Sequence, residues 1–382
     1  MRGYLGTCRE AWTNEEFWFP YGVNVRYGTE KKTRLQVVCE EMWSSNNPDN
    51  IYWSWLVYAY DPVKRVKRLL ELGADPNLAD TRGFTPLHIS ARNAWEDHIP
   101  IIRALIKGGA NVNALTKIGH TPLFMAAYNN SVDIAKILIE NGASVNNFDD
   151  YRLTPLHAAT MRSDVNMMKL LILHGALMTS ETLKDAIEEG CANPVNKIKY
   201  LYSIDCPKID SPVYEAVAWN HPELVRTLIK LGESPEVANG HFSPLEWALM
   251  QSRVECLNEL CKGGADVNII RDGMVQTPLH RAIIHSNFDC IITLCRWGAD
   301  TSVRDTLGDT ALHSLICQLT IYHRAVSIDK FKQFLKYVTD FKATNAKNQT
   351  PFQYAMKSNL KDFACEIKRE EMRRTLTKGR AK

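Results

Sequence analysis

Apolar and polar positions follow one order repeatedly along this chain. A short apolar run sits behind a Thr-Pro or Ser-Pro pair, a polar break follows, a second apolar run ends in Gly-Ala, and a polar stretch leads to the next Thr. The clearest copies are Thr85-Pro86-Leu87-His88, Thr121-Pro122-Leu123-Phe124, Thr154-Pro155-Leu156-His157 and Thr277-Pro278-Leu279-His280. Degenerate copies stand at Ser211-Pro212, Ser243-Pro244, Thr310-Ala311-Leu312-His313 and Thr350-Pro351-Phe352. In each, the Thr or Ser can cap a helix whose first residue is Pro, where a missing N–H costs nothing, and the Leu then points inward. The second run, as in Leu105-Ile106-Lys107-Gly108-Gly109-Ala110, predicts another helix, closed by a Gly in left-handed backbone. Asn113, Asn146 and Asn268 then open a hairpin-like finger. The pattern predicts helix, helix, finger, over and over.

This chain of units resembles the ankyrin-repeat family, whose period is about 33 residues. The resemblance covers residues 51–370 and implies an all-α repeat solenoid, an ankyrin-repeat array of about ten helix-turn-helix units with β-hairpin-like fingers and helical end caps. Residues 1–50 fall outside the beat. With Trp12, Trp18 and Trp43 among them they read as an aromatic-rich N-terminal cap or partner-binding segment. The array proper is assigned to 51–360, and 361–382 to a capping helix and basic tail, with Phe363, Ile367 and Met372 facing the array and Arg373 and Arg374 outward. The beat fails around 176–210. Leu183 can take the Leu position there only if the interval shrinks to 27 residues, which leaves Ala176–Thr182 too short for a full finger. Gly190, Cys191, Asn193 and Pro194 are expected to interrupt the helix pair, giving two sub-stacks on either side.

Charge and cysteine usage narrow the function. A formal net charge of +3 on 382 residues argues against a nucleic-acid binder. No segment reads as an export signal, and no apolar run is long enough for a membrane span. Ten cysteines without a compact framework suit a reducing compartment, so a cytoplasmic protein, with the nucleus as a second location, is expected. Cys256, Cys261, Cys290 and Cys295 stand at equivalent places on second helices. Residues five apart on a helix diverge in direction, so buried hydrophobes explain them better than a metal site. His88, His157, His280 and His313 all hold the fourth place of the tetrapeptide, which argues for a repeat-wide hydrogen bond near the helix start. With no nucleophile paired to a base and no phosphate-binding loop, the chain is not expected to be an enzyme or to hold a cofactor or metal.

The resemblance implies that function lies on a concave surface lined by finger tips and first-helix ends. Carried onto this sequence, it selects Tyr128, Met161, Arg162, Trp219, Met250, Gln251 and His285 from helices, and Tyr151, Arg152, His241, Phe242 and Arg304 from fingers, with His120 beside them. Aromatics and Arg dominate binding energy in interfaces. The leading reading is a monomeric, non-catalytic scaffold or adaptor that binds other proteins. A second reading is the substrate-receptor subunit of a ubiquitin ligase. It rests on Leu35, Cys39 and Trp43, which share one helix stripe and resemble an elongin-binding helix. A third is a regulator that masks a partner such as a transcription factor. Asn268 also resembles the target of an asparaginyl hydroxylase.

Overall fold

The computed structural model describes residues 26–27, 32–33, 36, 39, 62–92, 98–188, 190–191, 193–240, 242–270, 276–285, 288–321 and 326–380. They form a second helix, Pro62–Glu71, followed by nine helix pairs. Apart from a two-residue antiparallel pair, Arg26–Tyr27 with Lys32–Thr33, the described elements are helices, so the architecture is an all-α stack of repeats.

The helix starts form as the capping residues require. Thr121 accepts the Phe124 N–H at 3.1 Å, and Pro122 opens the helix Pro122–Tyr128. Thr154, Ser243 and Thr350 build reciprocal capping boxes with the residue three places on. The Leu of each tetrapeptide is fully buried, as at Leu87, Leu123, Leu156 and Leu279. Second helices end on left-handed glycines such as Gly109 and Gly142, with the Ala110 N–H returning to Leu105 O at 3.0 Å. The finger Asn then ties neighbours together. Asn113 donates to Gly142 O and accepts from Ser144 N–H, and Asn77, Asn146 and Asn268 repeat the arrangement.

The described chain divides into two compact blocks. One holds the described residues up to Ala186 together with Gly190–Tyr200, the other Ile187 and Glu188 together with Leu201 onward. At this division lie the short helix Ser180–Ile187, in which Leu183 is buried, and the helix Pro194–Ser203. Gly190, Cys191 and Asn193 lie between these two helices and Pro194 at the start of the second, so they separate the members of the pair and interrupt neither helix. Gly190 and Asn193 take left-handed backbone in the turn between the two helices, and Pro194 starts the second.

The final helix, Lys361–Arg380, buries Ala364 and Ile367 and sets Phe363 edge-on to Phe331, with ring centroids 4.9 Å apart. Two of its expected side-chain directions are reversed. Met372 is exposed, and Arg374 turns inward, where Glu370 holds it while it donates to Leu335 O and Lys336 O at 2.8 and 2.7 Å, and to Val338 O. The cation meets the carbonyl end of the helix Ile328–Leu335, where orphan acceptors and the helix dipole favour it.

Fingers in the first block stack by backbone hydrogen bonds. Lys117 N–H donates to Arg82 O at 3.0 Å and Asp150 N–H to Ile118 O at 3.1 Å. This approach is why Gly119 must be glycine: its φ is +82°, and a Cβ there would lie 2.9 Å from Asp149 Cα. Gly119→Ala is expected to destabilise the chain by about 2 kcal/mol in urea unfolding. A midpoint equal to that of the parent chain would show that the fingers can separate without cost.

Candidate protein-binding face

The histidines of the tetrapeptide belong to the scaffold. The Thr85 N–H donates to His88 Nδ1 at 3.2 Å, which leaves the proton of the neutral ring on Nε2, 3.0 Å from His120 O on the next finger. His280 reaches Asp309 O and His313 reaches Gln349 O in the same way, at 3.3 and 2.9 Å. His157, which no finger of the shortened repeat meets, lies 4.0 Å from Asp185 instead. Burial pulls the His88 ring from 6.5 down to about 4 and lowers His157, His280 and His313 as well.

Other residues do the same work with different chemistry. Glu246 accepts from Ser243 N–H at 2.8 Å and pairs with Arg281 of the following repeat at 2.8 Å. Phe124 has no ring nitrogen. His120 stacks on it at 4.1 Å and reaches Asp149 at 3.1 Å, so His120 is a structural residue rather than a contact of the face.

Gln36 completes the series. Thr33 N–H donates to its Oε1 at 2.5 Å, and its Nε2 donates to Phe84 O at 2.5 Å and to Leu78 O at 3.2 Å. Phe84 precedes Thr85 as His120 precedes Thr121, so Thr33 to Gln36 occupies the register of the tetrapeptide. The first repeat therefore takes its first helix from within residues 1–50, which the sequence reading sets outside the beat. Cys39, in the middle of the elongin-like stretch, is fully buried, while Leu35 and Trp43 lie outside the described residues.

The cysteine pairs fall to the scaffold too. Cys256, Cys261, Cys290 and Cys295 are buried on second helices, and burial pushes the thiols of Cys256, Cys261 and Cys295 up to about 12. Asn268 uses its side-chain amide on Gly298 O and Asp300 N–H, the bridge that Asn77, Asn113 and Asn146 make.

A residue that sequence reasoning missed is Lys197. It is fully buried, in the register that Ile134, Met167 and Leu224 hold on other second helices. Its ammonium donates to Thr160 O at 2.5 Å and lies 3.5 Å from Cys191 Sγ. Burial lowers the Lys197 pKa, against the pull of Cys191 and Asp164. A lysine in an otherwise apolar register is the signal that would have found it.

With these groups accounted for, the exposed large side chains stand out. Tyr128 is 43 % exposed at the end of its helix, and the Arg162 guanidinium lies 5.1 Å from the centre of its ring. Tyr151 is 73 % exposed on a finger beside Arg152, which stacks 5.2 Å over Phe148. Phe148, Leu115, Ile118 and Leu307 are exposed finger residues that sequence reasoning missed; apolar residues amid polar turn positions were the signal. Met250, Gln251 and His285 are exposed on helix ends as expected, and Met161 is half-buried.

The remaining expected contacts are placed less favourably. Trp219 is half-buried at a helix C-terminus, and Phe242 packs 6.1 Å from Trp247, which also meets Tyr214 at 5.7 Å. Arg304 donates to Thr344 O of the following finger, and His241 lies outside the described residues. Among the described residues, no three His, Cys, Asp or Glu side chains converge on a metal-binding position, and no helix is long and apolar enough to cross a membrane.

The histidine geometry sets a pH dependence. The unfolded ring of residue 88 gains its proton near pH 6.5 and the folded ring near 4, so stability is full above pH 6.5 and falls as pH descends through that window. His88 alone accounts for roughly 3 kcal/mol of that loss. His88→Gln, which copies Gln36, is expected to flatten the decline measured by urea titration from neutral to mildly acidic pH. An unchanged decline would remove His88 as its source.

Comparison with known proteins agrees with the geometry. Models of ankyrin repeats match residues 54–149 and 213–305, and a further one matches 130–172. A fem-1 homologue of Drosophila melanogaster is 37 % identical over 62 residues, 16 % of this chain and 9 % of that protein. An ankyrin repeat-containing protein of Schizosaccharomyces pombe is 30 % identical over 71 residues, 19 % of this chain and 33 % of that protein. The matches thus span a third or less of these relatives' own length. Since the matching models cover more than half of its residues, and the caps, finger bridges and left-handed glycines recur along it, the chain belongs to the ankyrin-repeat family.

Proposed function

We propose that this chain is a non-catalytic scaffold or adaptor that binds partner proteins through its finger tips and exposed first-helix ends. The observation that carries this reading is a division of labour among the side chains. The tetrapeptide histidines and the paired cysteines are bound into the stack, while Tyr128, Tyr151, Met250 and Leu307 stand exposed on the fingers and helix ends. Ankyrin repeats are in general protein–protein interaction modules, which supports the same conclusion. Cysteine usage suits action in a reducing compartment, the cytoplasm with access to the nucleus. The ubiquitin-ligase reading is not adopted, because Gln36 is engaged on the first finger and Cys39 beside it is covered.

Proximity labelling in the native cell tests the proposal. The double variant Tyr128→Ala, Met250→Ala is expected to keep the parent melting temperature and to lower the recovery of its main partners about tenfold, as truncating interface anchors does. Equal recovery by parent and variant would sink the idea that these side chains bind.

A further inference from the structure

The fourth residue of several described finger tips has left-handed backbone. Gly83, Gly119 and Gly308 hold it with φ of +87°, +82° and +74°. At Gly83 a Cβ would lie 2.6 Å from Lys117 N of the next finger, so a side chain has no room there. The corresponding residue of the next finger in the first block is Arg152, with φ +67°. An L-residue other than Asn or Asp is strained in that region, and an outlier of this kind at an exposed position points to a use. The shortened repeat explains why the side chain fits. The chain after Ala176 enters the helix Ser180–Ile187 without building a finger, and among the described residues nothing takes the place that Lys117 and Asp150 take on the fingers before them. Among the described residues no backbone N–H reaches Tyr151 O, the counterpart of Arg82 O and Ile118 O.

The side chains at this edge define what it can receive. Tyr151 is 73 % and Phe148 58 % exposed, and the Arg152 guanidinium lies over the Phe148 ring. Asp149, the buried carboxylate of this finger, is taken up by Tyr151 N–H, Leu153 N–H and His120. Arg162 over Tyr128 and the exposed Lys117 are further cations of these repeats, against the exposed carboxylates of Asp150 and Glu181. Cations therefore outnumber free carboxylates among exposed rings.

We propose that the open edge at Phe148, Tyr151 and Arg152 receives an extended acidic segment of a partner protein, in the place of the finger that the next repeat lacks. The segment's backbone N–H meets Tyr151 O as one finger meets another, its carboxylates meet Arg152, and its apolar residues cover Phe148 and Tyr151. This inference rests on the protein-binding reading above.

Fluorescence anisotropy with the full chain tests it. The probes are a labelled pool of decapeptides in which Glu alternates with Leu, Phe or Tyr, the same pool with Lys for Glu, and a single-stranded RNA dodecamer. The Glu pool is expected to bind about tenfold more tightly than the Lys pool, and Arg152→Gly to weaken it about tenfold. Because glycine relieves the strained backbone, the same variant is expected to melt at the parent temperature or a few degrees higher. The proposal is overturned if no member of the Glu pool binds, if the Lys pool or the RNA binds as tightly, or if Arg152→Gly binds unchanged. If those results coincide with lost partner recovery for the Tyr128→Ala, Met250→Ala variant, this inference alone fails and the protein-binding reading stands.

Discussion

A helix start in this protein leaves N–H groups without partners, and the finger that follows leaves a carbonyl facing it. One side chain at the third position of the first helix satisfies both. In His88 the two ring nitrogens divide the task, one accepting from the cap residue and the other donating to the next finger. The bond is within a repeat at one end and between repeats at the other, so it couples the local fold of each helix to the stacking of its neighbour. In an array held together by nearest-neighbour contacts, such a coupling sets the register of the two repeats it joins. It also requires a neutral ring, which burial enforces.

The same geometry is met by different chemistry where histidine is missing. Gln36 reproduces it with an amide, which like imidazole can accept and donate at once. Glu246 can only accept, and Arg281 from the next repeat meets its second oxygen. Phe124 can do neither, and the task passes to His120 and Asp149 on the fingers. The demand is constant because the orphan backbone groups are constant, while the residue that answers it is free to vary.

This economy of polar groups leaves large side chains exposed on the finger tips and helix ends. The constraint on the tips is the close approach of successive fingers, which forbids a side chain at Gly83 and Gly119. Where the shortened repeat ends that approach, Arg152 appears with Tyr151 and Phe148 beside it. A defect in the repeat thus creates a surface that regular repeats cannot have.

Much of the fold was legible because its signals are local. Thr-Pro-Leu-His names a cap, a helix start, a core residue and a bridge within four residues, and Gly-Ala names a helix end. The first repeat was not legible, because Thr33-Arg34-Leu35-Gln36 lacks both Pro and His and sits among aromatics that suggest a cap. Nor were the inward turn of Arg374 and the burial of Lys197, since a cation reads as solvent-facing until a carbonyl is brought to it from more than thirty residues away. The exposed side chains were legible in part: the exposure of Tyr128, Tyr151 and Arg152 follows from their place in the repeat, while Arg304 and Phe242 turned out to be engaged by neighbouring residues. The sequence by itself determined which residues start, fill and end each helix, because those choices depend on backbone conformation and burial within one repeat. Which polar side chains are consumed by the stack and which are left exposed was decided only by the tertiary structure, because each hydrogen bond between repeats needs an acceptor that the next repeat alone supplies.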